Sequence, residues 1–317
     1  MMAQRPLLSV IAPVYNASDY LAATLRSFEG QSYGNVEWVL VDDGSTDGSA
    51  RVCAEWCAAD PLHRRLFRKQ NGGASSARNT GLEHAVGAYV LFWDSDDTQS
   101  SLAIEKLVEC SHGFDSVSVC AIRRMLPDGR ERDLFTCRRH ESTPEEALDE
   151  WLRGGVSTGP CTKLVPRRLL IDNGIRFEEG VTNEDVLWTA EVFAAADSVI
   201  FIGEALYFYF AREASVTSSF GEHTAIVFRN CRKLEEMVQT NYPSLHESCS
   251  EYCAKACWSV ILAASRGDNR KRFPTVYDLA MRELAERGDD IARYCNSPKE
   301  LLLRFLVSTH LYGLIKK

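Results

Sequence analysis

Two aspartates one residue apart, Asp94 and Asp96, close an apolar run, and Asp97 follows them. Their oxygens can face one hard divalent cation, Mg2+ or Mn2+, which takes carboxylate ligands and keeps positions for phosphate oxygens. The same residue types also suit a turn and a helix N-cap. Asp42 ends a second apolar run and can accept from a base or a ribose hydroxyl. Gly72 and Gly73 let backbone approach a ligand, and Arg78 supplies a charged fork for a phosphate or a base carbonyl. Each has a plainer reading: Asp43-Gly44-Ser45 makes a good turn, and Arg78 suits a solvated helix face. Glu184 and Asp185 precede Val186, Leu187, Ala190 and Phe193 at helical spacing. The two acids therefore fall in a first helical turn, where the backbone dipole favours negative charge.

Such residues need a scaffold that gathers them. The stretch from Ala88 to Trp93, bounded by Gly87 and by acids, reads as a strand buried on both faces. Leu7 to Pro13, Val36 to Val41 and Arg65 to Arg68 read as further strands. Helical apolar spacing runs from Asp19 to Gly30 and from Ser49 to about Ala58, and another helix starts at Ala77. The order βαβαβαβ predicts a parallel, doubly wound sheet with right-handed crossovers. Acids and glycines then meet at the carboxyl ends of several strands, the usual ligand crevice of this architecture.

At 317 residues the chain suggests two domains, or one large α/β domain with an appendage. Its 45% hydrophobic and 25% charged residues match a soluble globular protein, and no stretch has the length of a membrane span. Met1 to Pro6 leads into a strand without an apolar signal core, so a cytoplasmic location is expected. A net charge of −8 argues against non-specific nucleic-acid binding and for small-molecule partners. The eleven cysteines are scattered and lack paired CxxC spacing, which indicates neither a disulfide framework nor a zinc ribbon. His246, Cys249, Cys253 and Cys257 share one helix face, but one face cannot surround a tetrahedral ion, and buried thiols act as small apolar groups.

Four stretches occur in order: Ser9-Val10-Ile11-Ala12-Pro13-Val14-Tyr15-Asn16, Val41-Asp42-Asp43-Gly44-Ser45-Thr46-Asp47-Gly48-Ser49, Gly73-Ala74-Ser75-Ser76-Ala77-Arg78-Asn79-Thr80-Gly81 and Phe92-Trp93-Asp94-Ser95-Asp96-Asp97. Together they resemble the signature of family-2 inverting glycosyltransferases of the bacterial type. The resemblance implies the α/β GT-A fold, a Rossmann-like mixed sheet with a C-terminal helical extension. It implies a nucleotide-sugar transferase domain over 1–220 and a helical region over 221–317. It also implies a nucleotide-sugar donor, most often a UDP-sugar, and Mn2+ or Mg2+. Carried over, Pro13 and Tyr15 flank the nucleobase, Asp42 accepts from the uracil imide, and Arg78 lies near the base or phosphate. Asp96 ligates the metal, and Asp94 reaches the ribose or a metal-bound water. Trp93 departs from the Leu, Val or Ala expected there, a change expected to affect packing only.

In the second half, Ser116 to Ile122 reads as a strand, Pro127-Asp128-Gly129-Arg130 as a hairpin turn, and Glu145 to Leu152 as a short helix. The segment Gly159 to Val165 resembles an acceptor-side stretch of these transferases. Its Lys163 can neutralise phosphate, although a surface lysine is the preferred reading. An inverting transfer needs a carboxylate that removes the acceptor hydroxyl proton. The resemblance assigns that base to the acidic pair, Asp185 first and Glu184 second. Two short strands, Ile200 to Ile202 and Ala205 to Tyr209, lead to a loop resembling the family's Arg-x-x-Ser-Val-Thr tail. There Arg212 would clamp diphosphate oxygens, while His223 reads as a solvated loop residue rather than a metal ligand. Helices are expected over Ala225 to Gln239, Ser250 to Ala264 and Val276 to Arg287. The apolar end from Lys299 to Lys317 has three roles open to it: packing on those helices, a homodimer contact, or peripheral contact with a membrane near a lipid-linked acceptor.

These features predict a metal-dependent inverting glycosyltransferase acting on a hydroxyl of a glycan or lipid-linked acceptor. The alternatives are a nucleotide-sugar or glycan-binding protein without catalysis, a receiver-like signalling module, and a phosphatase with an Asp-x-Asp nucleophile. The last two place their key acids after the first strand, where this chain has Pro13-Val14-Tyr15-Asn16.

Overall fold

The computed structural model describes residues 5–111, 116–126, 128–136, 138–210 and 220–308. The chain divides into two units. One holds the described residues of Met1–Trp151, Gly155–Gly180 and Glu184–Arg212, and the other holds those of Leu152–Gly154, Val181–Asn183 and Glu213–Lys317.

The first unit begins with β1 (Leu8–Val14), α1 (Leu21–Glu29), β2 (Val36–Asp42), α2 (Ser49–Ala58), β3 (Arg64–Arg68), α3 (Gly73–His84) and β4 (Tyr89–Phe92). It continues through β5 (Thr98–Gln99), α4 (Ala103–Cys110), β6 (Ser116–Met125), β7 (Glu131–Leu134), β8 (His140–Ser142) and α5 (Pro144–Leu152). It ends with β9 (Lys163–Pro166), α6 (Arg167–Asp172), α7 (Glu184–Ala195) and β10 (Ser198–Phe210). The strands form one sheet in the order β3-β2-β1-β4-β9-β6-β10-β5, with β7 beside β6 and β8 beside β10.

β3, β2, β1 and β4 run parallel, as the alternation of strands and helices requires. β9 runs antiparallel to both β4 and β6, which makes the sheet mixed. Register brings the strand ends level: Val14 lies opposite Asp42, and Asp42 opposite Arg68. Loops that leave these ends therefore meet at one sheet edge.

The central strands are largely apolar because both faces are covered, and the buried Ser9 and Glu37 side chains bond each other. Val10, Ile11, Val39, Leu40, Val41, Val90, Leu91 and Phe92 are fully buried. Helix α3 lies so close to β1 that a Cβ on Gly81 would sit 2.2 Å from Ile11 Cγ2, so no larger residue fits there. Trp93 is buried against Phe28 and Trp38, with ring centroids 4.7 and 6.3 Å apart.

Two boundaries differ from the sequence reading. α3 starts at Gly73 rather than Ala77, because the backbone N–H groups of Gly72 and Gly73 donate to the Asp43 carboxylate at 3.0 and 2.7 Å. An acceptor at the helix start satisfies donors that would otherwise be orphaned. The two short strands after Asp197 are one strand, β10, whose register against β6 shifts between Phe201 and Tyr207 around Gly203 at φ +77°.

The second unit contains α8 (Ile226–Asn241), α9 (His246–Ala264), α10 (Asn269–Arg272), α11 (Pro274–Glu286), α12 (Gly288–Tyr294) and α13 (Pro298–Ser308). α8, α11 and α12 pack on α9. Cys231, Cys249, Cys253 and Cys257 are buried within α8 and α9, where Cys253 Sγ lies 3.7 Å from the Cys231 carbonyl. Arg287 pairs with Glu235 and Glu283, tying α8 and α11 together. Among the described residues no helix is long and apolar enough to cross a membrane.

Candidate active site

The first two strand-to-helix loops are stapled to each other. Asn16, at φ +47°, donates its backbone N–H to Ser45 Oγ at 3.1 Å, and its side chain accepts from the Thr46 N–H at 2.9 Å. The Ala17 and Ser18 amides donate to Ser49 Oγ and Asp47 at 2.8 and 3.1 Å. Asp47 is held well below the usual carboxylate range by its bonds to Ser49 and Ser18. This lattice fixes the β1 exit, where Tyr15 is 50% exposed and Pro13 is half-buried.

Asp42 forms the floor. It has no exposed surface, accepts from the Ser45 N–H at 3.2 Å, and pairs with Arg68 at 3.2 Å. Its neighbour Asp43 has a separate task. Besides the two glycine amides, it accepts from Lys69 Nζ at 2.8 Å, so one buried carboxylate organises the Gly-rich turn. Gly44, at φ +77°, allows this, since a Cβ there would come within 2.9 Å of the Asn71 nitrogen.

Arg78 and Asn79 both face inward from α3. Arg78 donates to Asp94 at 2.9 Å and to Glu184 at 2.7 Å, and its guanidinium lies 5.2 Å from the Phe177 ring centroid. Neither partner is near it in sequence. Asn79 exchanges both of its amide bonds with the Phe177 backbone, at 2.9 and 3.0 Å, and donates to Glu179 at 3.2 Å. One turn of α3 therefore holds both Asp94 of the β4 exit and the acidic segment that opens α7.

The turn after β4 is held by its backbone as well as its side chains. Thr24 Oγ1 donates to the Ser95 and Asp97 carbonyls at 2.9 and 3.0 Å, and Trp93 Nε1 donates to the Asp97 carbonyl at 3.3 Å. Trp93 therefore does more than fill space. Asp97 is 2% exposed, accepts from the Phe210 N–H at 2.9 Å, and bonds the Tyr207 hydroxyl. Burial, with the charges of Asp94 and Asp96 adding to it, pushes Asp97 up to about 8. Asp94 and Asp96, in the same turn, are half-buried. The Cys161 thiol lies beside Asp94, and burial with that carboxylate's charge holds it far above the usual thiol range.

Two carboxylates suit a divalent cation that shares its shell with a diphosphate, because Mg2+ and Mn2+ keep several positions for water and phosphate oxygens. Among the described residues no group of three or more His, Cys, Asp or Glu is arranged to hold a metal unaided. The donor's own oxygens would complete the shell.

Asp185 lies beside Glu184 in the first turn of α7. Burial and the charge of Glu184 push it up to about 6, against the opposing effects of Arg78 and Lys163. Lys163 is not a surface lysine. It is fully buried, because three carbonyls converge on its ammonium: Ser157 at 2.6 Å, Gly159 at 2.8 Å and Thr158 at 3.3 Å. Burial lowers it to about 7. His223 is an exposed residue of the second unit, and Arg212 lies outside the described residues.

Arg78, Asp94, Glu184 and Asp185 are thus brought together, with Pro13, Tyr15 and Asp42 along the same edge. Reading residues one at a time missed Asp43, Asn79, Tyr207 and the buried state of Lys163. The only sequence signals were the doubled acid at Asp42-Asp43 and the asparagine after Arg78.

The family model for glycosyl transferase family 2 matches residues 9–171. An uncharacterized glycosyltransferase of Escherichia coli K12, YibD, is 29% identical over 279 residues, covering 82% of this chain and 81% of that one. Staphylococcus aureus TarS 1–349, solved with UDP-GlcNAc, superposes with a TM-score of 0.71 at 22% identity, over 96% of this chain and 88% of that chain. The Pyrobaculum calidifontis mannosyltransferase PcManGT, solved with GDP-Man and Mn2+, gives a TM-score of 0.56 at 17% identity, over 98% and 86%. The two solved structures share the GT-A-like fold: a mixed α/β sheet with C-terminal helices.

Proposed function

This chain belongs to glycosyl transferase family 2 and is a glycosyltransferase, and from that premise we propose an inverting transfer from a UDP-sugar to an acceptor hydroxyl. The observation that carries the reading is the Arg78 bridge. It sets the acids of the β4 exit and the acids of α7 on one guanidinium, so a donor site and a base share one crevice.

In this reading Asp96, with Asp94, would hold a divalent cation. When bound, the cation neutralises charge that grows on the leaving group. The chain's own groups do the rest. Pro13 and Tyr15 flank the base, and Asp42, which has no exposed surface here, would accept from it only once donor binding uncovers its carboxylate. Asp185 is ionised at neutral pH yet basic enough to take a proton, as a general base must be. It removes the acceptor hydroxyl proton as that oxygen bonds to the anomeric carbon and the bond to the diphosphate oxygen breaks on the opposite face. Arg78 keeps Glu184 paired, so the acid beside the base stays in place.

The solved complexes of TarS with UDP-GlcNAc and of PcManGT with GDP-Man and Mn2+ support a nucleotide-sugar donor and a metal. A receiver-like module does not fit a family-2 chain with antiparallel β9 and β5 in its sheet. Asp185→Asn tests the assignment: UDP-sugar binding by calorimetry should persist while transfer is lost. Full turnover in that variant removes Asp185 from the role.

A further inference from the structure

Lys163 occupies an expensive position. An ammonium with no exposed surface must recover its hydration from fixed dipoles, and here the carbonyls of Ser157, Thr158 and Gly159 supply them. Those carbonyls are themselves braced. The Gly159 N–H donates to Ser157 Oγ at 3.1 Å, Thr162 Oγ1 donates to the Gly159 carbonyl at 3.1 Å, and Trp151 Nε1 donates to Thr158 Oγ1 at 3.3 Å.

This collar is attached to α7. Thr189 Oγ1 donates to the Thr158 carbonyl at 2.7 Å, and the Phe193 ring centroid lies 5.8 Å from Lys163 Nζ. Asp185, Thr189 and Phe193 follow one another at four-residue steps, so they share one face of the helix. The face that carries Asp185 is the face that Lys163 and its carbonyls grip.

We infer that Lys163 is a positioning residue for the general base: it locks the Ser157–Gly159 collar onto the Asp185 face of α7 and supplies positive charge that keeps that carboxylate ionised. This rests on the reading of Asp185 as the base. The attraction between the two is reciprocal: Lys163 lowers Asp185 and Asp185 raises Lys163. The other groups facing the pair are Glu184 on α7, Arg78 on α3, and the thiols of Cys120 on β6 and Cys161 before β9. Both thiols are pushed up by burial and stay neutral, so Lys163 and Arg78 are the cations acting on Asp185.

The test is the pH profile of kcat/KM in Lys163→Met. Loss of the ammonium should move the acid limb upward by roughly half a pH unit or more, whereas a merely structural defect would scale the whole profile down. A reduced profile with an unmoved limb overturns the inference. Methionine leaves three buried carbonyls without their donor, so a second measurement keeps Lys163 intact. In 13Cε-lysine NMR titrations, Lys163 should titrate at lower pH in Asp185→Asn than in the wild type. An unchanged titration also overturns the inference. The base assignment fails separately, by retained turnover in Asp185→Asn.

Discussion

Asn79→Ala would show whether α3 braces the acidic segment. Asn79 is 7% exposed, and its amide meets both the N–H and the carbonyl of Phe177, itself 2% exposed. Alanine leaves one buried donor and one buried acceptor without partners, at about 1–3 kcal/mol each, and water entering the gap recovers part of that. The expected loss is about 2–4 kcal/mol, a large share of the roughly 5–15 kcal/mol that holds a domain folded. Urea unfolding followed by tryptophan fluorescence reads it, because Trp38, Trp56, Trp93, Trp151 and Trp188 all lie in the first unit. The midpoint should fall with an unchanged slope. Glu179→Ala is the control. It removes only the 3.2 Å contact to Asn79 and should cost less than about 1 kcal/mol. Transfer should fall too, by about tenfold for each 1.4 kcal/mol by which the loosened segment misplaces Asp185. If Asn79→Ala unfolds at the same urea concentration as Glu179→Ala, the Phe177 bonds contribute nothing particular and the brace is refuted.

The pH dependence follows from Asp185. Its group must be ionised to accept a proton, so kcat/KM should rise with pH through about 6, and a profile flat from pH 5 to 8 contradicts the assignment. The same burial has a sign in stability. A carboxyl raised from 3.8 to about 6 on folding binds more protons folded than unfolded between those values, so its contribution is intact below the lower one and is lost as pH rises through the higher. Asp185→Asn should therefore be more stable than wild type above pH 6 and equal to it near pH 3, as thermal melts across pH would report. Asp96→Asn tests the cation. Wild type should gain thermal stability from UDP with Mn2+ and lose that gain in EDTA, and the variant should show little gain under either condition. An undiminished gain in Asp96→Asn would place the cation elsewhere.

Most of the parallel half of the fold was legible because β1, β2 and β4 are largely apolar runs that lead into Pro13, Asp42 or Asp94, and α1 and α2 carry their own apolar spacing. Level strand ends then placed those residues on one edge without further information. What stayed hidden depends on where the backbone turns, which the local pattern of residue types does not announce. Asp43 reads as a turn residue until the amides of Gly72 and Gly73 arrive from the exit of the neighbouring strand β3. Lys163 reads as a surface lysine because nothing local announces that Ser157, Thr158 and Gly159 will turn their carbonyls inward. The start of α3 was read four residues late, because glycines at a helix N-terminus look like a loop until the carboxylate that satisfies their amides is known. Trp93 was read as packing alone, since its indole bond to the Asp97 carbonyl depends on the shape of the acidic turn.

Arg78 shows why the site is built as it is. Removing charges from water is costly, and a buried ion pair seldom stabilises a fold more than apolar groups of the same volume would. A guanidinium only 8% exposed at its side chain, shared between Asp94 and Glu184, is therefore a poor device for stability alone. It is a good device for position. A planar fork fixes both the distance and the orientation of two carboxylates, which a lysine's point charge cannot do. Asn79, one residue on, fixes the backbone of the same acidic segment at Phe177. Asp94 and Glu184 come together because adjacent residues of one helix hold the acidic segment by its charge and by its main chain.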